Sequence, residues 1–360
     1  MSAITIGGDL IHYEKLGRGR PVILVHGWIG SWRYWIPLMQ TLHTSFSVYT
    51  LDLIGFGDSS KNADHYTVEK QVDMLETFLD QLGIPKAAMI GHGLGSMVVL
   101  QYALRNPDKV ARMLLSSMPL FDPGDLKERV PAGTRQMLTA NNDRYSLAPN
   151  IEDVVGSNDK TVANTGSDSD KTIVSSSTSS GIYTPFHELP TISRPDTEKI
   201  DRDALRKAAE ERDKRRNESN PLFDKFKGNS ITDLLEKCFD KSESSFDKLK
   251  VDVDKSDDKV LEYSAEDFDP GELLDDLRRV TAPIVAVHGS KDPIFPVPDD
   301  EIWNYLTLNK EDVFVPIPFQ GTRHFPMLEH TSFPRLASDF LTKPEIGDIK
   351  LKDRWVRPHR

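Results

Sequence analysis

Four apolar runs in this chain each end in a turn rich in glycine, histidine or aspartate, and no other feature constrains its fold as tightly. They are PVILVHG (21–27), FSVYTLDL (46–53) running into IGFGDSS, KAAMIGH (86–92) running into GLGS, and APIVAVHGSKD (282–292). Runs this short and this apolar read as strands buried on both faces. Helical periodicity lies between them. SWRYWIPLMQTLH places Trp32, Trp35, Leu38 and Leu42 at 3–4 spacing, and Thr67 caps a helix whose apolar face is Val68, Val72, Leu75, Leu79 and Leu82, stopped by Gly83. GSMVVLQYAL (95–104) is a further helix and VARMLLSS (110–117) a further strand. Such alternation predicts the α/β class, with a mostly parallel sheet and helices on both faces.

From Met118 to about Pro270 the alternation gives way to a polar, irregular stretch. SNDKTVANTGSDSDKTIVSSSTSS (157–180) is of low complexity, has little to bury, and is expected to be disordered. DRDALRKAAEERDKRRNE (201–218) favours a helix but carries charge on nearly every face, which suits a solvated helix. SITDLLEKCFDK (230–241) is different, because Ile231, Leu234, Leu235, Cys238 and Phe239 share a face that can pack. The hydrophobic fraction of 38% is low for a globular chain, and this middle block accounts for the deficit. The pattern resumes with GELLDDLRRV (271–280), the APIVAV strand, EDVFVPIP (311–318) and a closing helix over 325–341. The expected organisation is therefore one α/β domain in two parts, 1–118 and 271–342. Residues 119–270 are inserted where a cap or lid would sit, and 343–360 form a basic tail.

IGHGLGS (90–96) has the spacing of a G-x-S-x-G turn with Gly93 at its centre. It is one of an ordered set. HGW (26–28) precedes it, as does Asp52-Leu-Ile-Gly55-Phe-Gly57-Asp-Ser59; HGSKDPIFP and GTRHFPMLEH follow it. On these residues the chain resembles the α/β-hydrolase-fold family, in the capped branch that holds esterases, epoxide hydrolases, haloperoxidases and carbon–carbon bond hydrolases. The resemblance covers 1–118 and 271–342 and leaves the insertion out. It implies an α/β-hydrolase fold whose motifs converge at the carboxyl ends of the strands. It also implies Asp292 as the acid, His324 as the base, the backbone N–H groups of Trp28 and Leu94 as the oxyanion hole, and Gly93 at the nucleophile position.

Gly93 departs from that pattern. A glycine cannot be acylated, so serine-hydrolase chemistry is not available as the sequence stands. Ser96 lies in the first turn of the following helix, where its hydroxyl is expected to point away from His324 and its small size to allow close packing. Glycine also relieves the strain that the elbow imposes on its central residue. Three functions are compatible with these residues. The first is a non-catalytic member, a pseudoenzyme, whose pocket binds a small apolar or ester-like molecule or whose surface binds a partner. The second is an enzyme of hydrolase or lyase type that uses the His324–Asp292 pair as general base, with Trp28 and Leu94 holding an oxyanion. The third is a serine hydrolase whose nucleophile was replaced by glycine to trap substrate. A serine returned to position 93 is expected to create hydrolysis of activated esters.

The remaining candidates read as structural. His26 belongs to its turn, His92 and His288 to packing, Trp32 and Trp35 to a helix interface, and Glu329 and His330 to the orientation of the last helix. Trp28 is the better candidate for a pocket wall. The histidines lack ligand spacing, so no metal is expected. GFG and GLG lack the Lys-Ser/Thr of a phosphate loop, so no cofactor is expected either. A net charge of -11 argues against nucleic acid. No apolar run approaches the ~20 residues of a membrane span. Cys238, the single cysteine, excludes an intramolecular disulfide. MSAITIGGDL has neither the basic nor the apolar part of a secretory signal, which points to a cytoplasmic protein. The tail KLKDRWVRPHR (350–360) is basic enough to suit an acidic partner.

Overall fold

Eight strands form one sheet in the order β1-β2-β4-β3-β5-β6-β7-β8. They are β1 (Ser2–Ile6), β2 (Asp9–Gly17), β3 (Arg20–Val25), β4 (Phe46–Leu51), β5 (Ala87–His92), β6 (Val110–Ser116), β7 (Ile284–Gly289) and β8 (Phe314–Phe319). The computed structural model describes residues 2–129 and 220–346, which belong to one compact unit. The pairings from β4 across to β8 are parallel. β1 and β2 form an antiparallel hairpin that joins the sheet beside β4. The sequence reading did not separate this hairpin. β2 lies near one edge of the sheet, and only some of its side chains are buried, so it lacks the continuous apolar run that marks the central strands.

The helices lie on both faces. α1 (Ile36–Leu42) packs with the last helix, while α2 (Val68–Gln81) packs with α3 (Leu94–Arg105). The position of β3 decides where a site can form. β4 lies on one side of it and β5 on the other, both parallel to it. The chain leaves β3 in one direction and returns to its opposite flank, so the loops after β3 and β5 diverge. In an open α/β sheet that divergence leaves a crevice at the carboxyl ends of the strands. HGW follows β3, and Gly93 follows β5.

The expectation of an irregular stretch up to Pro270 is corrected for the residues described. From Asn220 the chain forms α4 (Pro221–Phe226), α5 (Ile231–Cys238), α6 (Ser244–Val253) and α7 (Lys259–Ala265), followed by α8 (Pro270–Arg279). Each of the four is short, but local chemistry marks its start or its packed face. The Asn220 side chain accepts from Phe223 N–H, and Ser230 with Asp233 forms a capping box. Leu222, Phe226, Ile231, Leu235, Phe246, Leu249, Val260 and Leu261 are buried. The four buried apolar residues of α5 form the face that the sequence shows, while the two or three of α4, α6 and α7 are enough to pack when neighbours share the interface and too few to stand out from a charge-rich background. The closing helix is also divided, into α10 (Pro326–Glu329) and α11 (Phe333–Thr342) after α9 (Asp300–Thr307). Pro334 suits the first turn of a new helix, where its missing N–H is no loss, and not the middle of a continuous one. The stretches 157–180 and 201–218 lie outside the described residues, as do 347–360 of the tail. Among the described residues no helix is long and apolar enough to cross a membrane.

Candidate active site

The turn at Gly93 joins β5 to α3 in a single residue. Its backbone, at φ 50° and ψ -114°, lies where a side chain is strained. Gly95 has a different task. A Cβ there would lie 2.2 Å from the Val25 carbonyl oxygen, so only glycine lets α3 approach β3 this closely. Ser96 is buried, and its hydroxyl donates to the Ser116 carbonyl at 3.2 Å. It serves the packing of α3 against β6.

Trp28 occupies the space next to Gly93. A Cβ on Gly93 would lie 3.1 and 3.2 Å from Cε3 and Cζ3 of the indole, and 3.6 Å from Cα of Gly27. The ring is fully buried. It meets Phe226 and Phe295 at centroid distances of 5.0 and 5.5 Å, and its Nε1–H donates to Ser264 Oγ at 2.8 Å. The sequence pointed to Trp28 as a pocket wall. Here the indole fills the room beside the elbow. Phe226 and Ser264 come from α4 and α7 of the insertion, and no motif in the sequence marks them.

Asp292 and His324 come together. His324 Nδ1 and Asp292 Oδ2 are 2.9 Å apart and both side chains are buried. Asp292 Oδ1 accepts from the backbone N–H of Ile294 and Phe295 at 2.8 and 3.0 Å. Burial pushes the Asp292 pKa up, but the charge and hydrogen bond of His324 and the two backbone donors outweigh it and hold the carboxyl below its usual value. With Nδ1–H given to Asp292, His324 Nε2 is left as an acceptor. That nitrogen is buried and has no hydrogen-bond partner.

A second hydrogen-bonded chain connects the three turns of the site. Gly27 N–H donates to the Tyr34 hydroxyl at 2.6 Å, Tyr34 donates to His92 Nδ1 at 2.9 Å, and His92 Nε2–H donates to the His324 carbonyl at 2.9 Å. Ser117 Oγ donates to the same carbonyl at 3.0 Å. Only one His92 tautomer satisfies both of its neighbours. Burial, reinforced by His324, lowers the His92 pKa well below its ordinary value, so it stays neutral. His92 is thus a packed residue that also holds the histidine turn. Tyr34 was not singled out in the sequence, since a tyrosine inside a helix-like run carries no signal of its partners.

The other candidates take structural places. His26 donates from Nδ1 to the Gly27 carbonyl at 2.8 Å and accepts from Leu53 N–H at 3.0 Å. His288 donates to the Met118 carbonyl at 3.0 Å, and Trp35 is wholly buried. Glu329 does more than orient a helix. It accepts from the Arg323 and Phe325 backbone N–H groups on either side of His324. Arg323 also makes a bidentate pair with Glu243, both distances 2.8 Å, and this fastens the insertion to the histidine turn. His12, Asp52 and Asp58 have ligand atoms within 4.8 Å of one another. These atoms are already engaged. The Asp52 carboxylate takes Trp32 N–H, Asp58 N–H and His12, while Asp58 pairs with Arg33 and Lys255. Leu94 opens α3 and Trp28 follows the β3 turn, the positions from which the resemblance draws its oxyanion donors.

Comparison with known proteins identifies the fold. Rat bifunctional epoxide hydrolase 2 (Rattus norvegicus) is 35% identical over 122 residues, 32% of this chain and 22% of that protein. The soluble epoxide hydrolase of Corynebacterium sp. (strain C12) is 34% identical over 113 residues, 31% of this chain and 40% of that protein. The chain thus spans less than half the length of these relatives. A crystal structure of a hydrolase from Pseudomonas aeruginosa PA01 superposes with a TM-score of 0.57 at 14% identity, covering 95% of this chain and 98% of that one, and shows the shared fold. The alpha/beta hydrolase fold profile matches residues 20–331, most of the chain, and with this strand order it makes the chain a member of the alpha/beta hydrolase fold family.

Proposed function

We propose that this chain uses the hydrolase fold for binding, and that it does not carry out acyl-enzyme hydrolysis. The observation that carries this reading is the indole of Trp28, whose Cε3 stands 3.1 Å from where a Cβ on Gly93 would be. Two things that a serine hydrolase needs are therefore replaced together. The attacking oxygen is absent, and a side chain at this position would press against a packed ring. The favoured occupant is a small apolar or ester-like molecule that competes with Trp28 for this room.

A second reading has its own support. His324 Nε2 is buried without a partner while Nδ1 is held by Asp292, the arrangement of a general base awaiting a proton. In that reading the pair deprotonates water or a substrate, and the backbone N–H groups of Trp28 and Leu94 hold the developing oxyanion.

Ester turnover separates the two. From the sequence alone a serine at 93 is expected to create ester hydrolysis; with Trp28 this close to that position, the native chain and Gly93→Ser are instead expected to give no p-nitrophenyl ester hydrolysis above background. Gly93→Ser/Trp28→Ala, with both oxygen and room supplied, is expected to gain on the order of 10³-fold, and His324→Ala should remove the gain. Hydrolysis by the native chain that depends on His324 would overturn the binding reading in favour of the general-base one.

A further inference from the structure

The basic tail has a complement elsewhere in the fold. A cleft of about 270 Å³ opens between α2 and α3 on one side and α7 and α8 on the other. Met97, Phe268 and Leu273 give it an apolar part, and Tyr263 beside them is a large apolar side chain that stays 40% exposed. Glu69, Asp267, Asp269, Glu272 and Asp276 line it against a single guanidinium, Arg105, which already pairs with Glu69 and Asp73. Asp276 is buried, and its carboxylate accepts from Gln101 and Arg279, two donors where a carboxylate has room for about four. The cleft is smaller than the ~300–1,000 Å³ of a pocket for a drug-sized ligand. One bulky side chain on a cationic segment matches its size and its charge.

The tail GDIKLKDRWVRPHR (347–360) has that composition. Lys350, Lys352, Arg354, Arg357 and Arg360 surround Trp355, against Asp348 and Asp353. It also starts within reach. Arg112 donates to the carbonyls of Phe340 and Lys343, the second at 2.8 Å, and so holds the end of α11. Arg105, in the cleft wall, precedes Arg112 by seven residues, which puts the two at most about 25 Å apart. Trp355 lies twelve residues beyond Lys343, about 40 Å of extended chain. That length covers the distance with the Arg112 side chain added.

We propose that this cleft is the docking site of the chain's own C-terminal tail, with Trp355 in its apolar part and the tail's cations against its acidic residues. α2 and α3 flank the sheet, and α7 belongs to the insertion, so the docked tail straps one to the other. A partner on a short flexible link acts at an effective concentration in the millimolar range, so a few modest contacts suffice. Complementary charge selects the tail over neutral segments, and salt screens that attraction.

The test compares the full chain with the free peptide GDIKLKDRWVRPHR, both carrying 5-fluorotryptophan. The Trp355 resonance of the chain is assigned by its loss in Trp355→Phe. At low salt it should stand apart from that of the peptide. Trypsin should then cut the chain after Lys350 and Arg354 about tenfold or more slowly than it cuts the peptide, because cleavage follows the undocked population. Both differences should disappear in high salt and in Asp267→Lys/Glu272→Lys. Those two residues are exposed, so the variant is expected to fold. Adding Lys352→Glu/Arg354→Glu to it reverses the charge of the tail as well, and should move the Trp355 resonance back. A resonance and a cleavage rate equal to those of the peptide overturn the docking. Charge reversal without effect overturns the cleft as its site. Protection that weakens on dilution assigns the tail to a second copy of the chain and overturns the intramolecular strap.

Discussion

The site has two halves, and they differ in how much structure depends on them. Asp292 and His324 form one. The Asp292 carboxylate closes its own turn through Ile294 and Phe295, and the His324 carbonyl receives His92 and Ser117. Gly93 and Trp28 form the other. Gly93 has no side chain to hold, and the ring beside it is kept in place by residues of the insertion. Removing either member of the acid–base pair leaves buried polar groups unpaired, whereas a glycine at the elbow leaves nothing unpaired and relieves strain. This asymmetry explains how a chain can keep the first half in order while the second is occupied by an indole.

Substitutions in either half test this asymmetry, and the turnover of Gly93→Ser/Trp28→Ala described above is the largest expected effect. Next is Trp28→Ala alone. It empties the volume of a fully buried indole and should cost about 3–5 kcal/mol in urea denaturation. A cost under 1 kcal/mol would show that the ring is not packed as described.

Acid tests the polar half. Burial lowers the folded-state pKa of His26, His92 and His288 from 6.5. The unfolded chain then takes up protons first as the pH falls below about 6.5, so stability falls with it. Each such histidine contributes a slope of up to about 1.4 kcal/mol per pH unit. Asp292 acts at lower pH. Its lowered pKa contributes stability above the unfolded value of 3.8, lost as the pH falls through the folded one. His12 is raised, mainly by its bond to Asp52, and offsets part of the histidine effect, because its contribution is present below 6.5 and lost as the pH rises through the folded value. Urea denaturation at pH 7.5 and 5.0 should give a net loss of a few kcal/mol at the lower pH, with a shallower slope in His288→Gln. Equal stability at the two values would contradict neutral, buried histidines.

Gly93→Ala isolates the backbone term of the second half. With φ at 50° and Trp28 close by, the alanine should cost about 1–3 kcal/mol by thermal or chemical melt. A neutral result would mean that the elbow relaxes. The smallest effect concerns the fastening of the insertion. Glu243→Gln removes the charge from a partly exposed pair with Arg323, and should cost about 1 kcal/mol or less, shrinking further in high salt.

Much of this was legible in the sequence, and for a local reason. A buried strand followed by a glycine turn is encoded within seven or eight neighbouring residues, so β3, β5 and β7 and the turns after them could be placed from the letters alone. The order of those turns brought Asp292 to His324. The packed face of α5 was legible from Ile231, Leu234, Leu235 and Cys238, but the hairpin β1–β2 and helices α4, α6 and α7 were not, because each has too few apolar residues to show a period.

The letters alone carry an α/β-hydrolase-type sheet and a glycine at position 93, since the identity of a side chain is a covalent fact at one position. What lies beside that glycine is set by the tertiary structure. The bond that holds Trp28 joins residues 236 positions apart. Packing between such distant segments depends on how sheet and insertion meet, and that meeting is written in no single stretch of the chain.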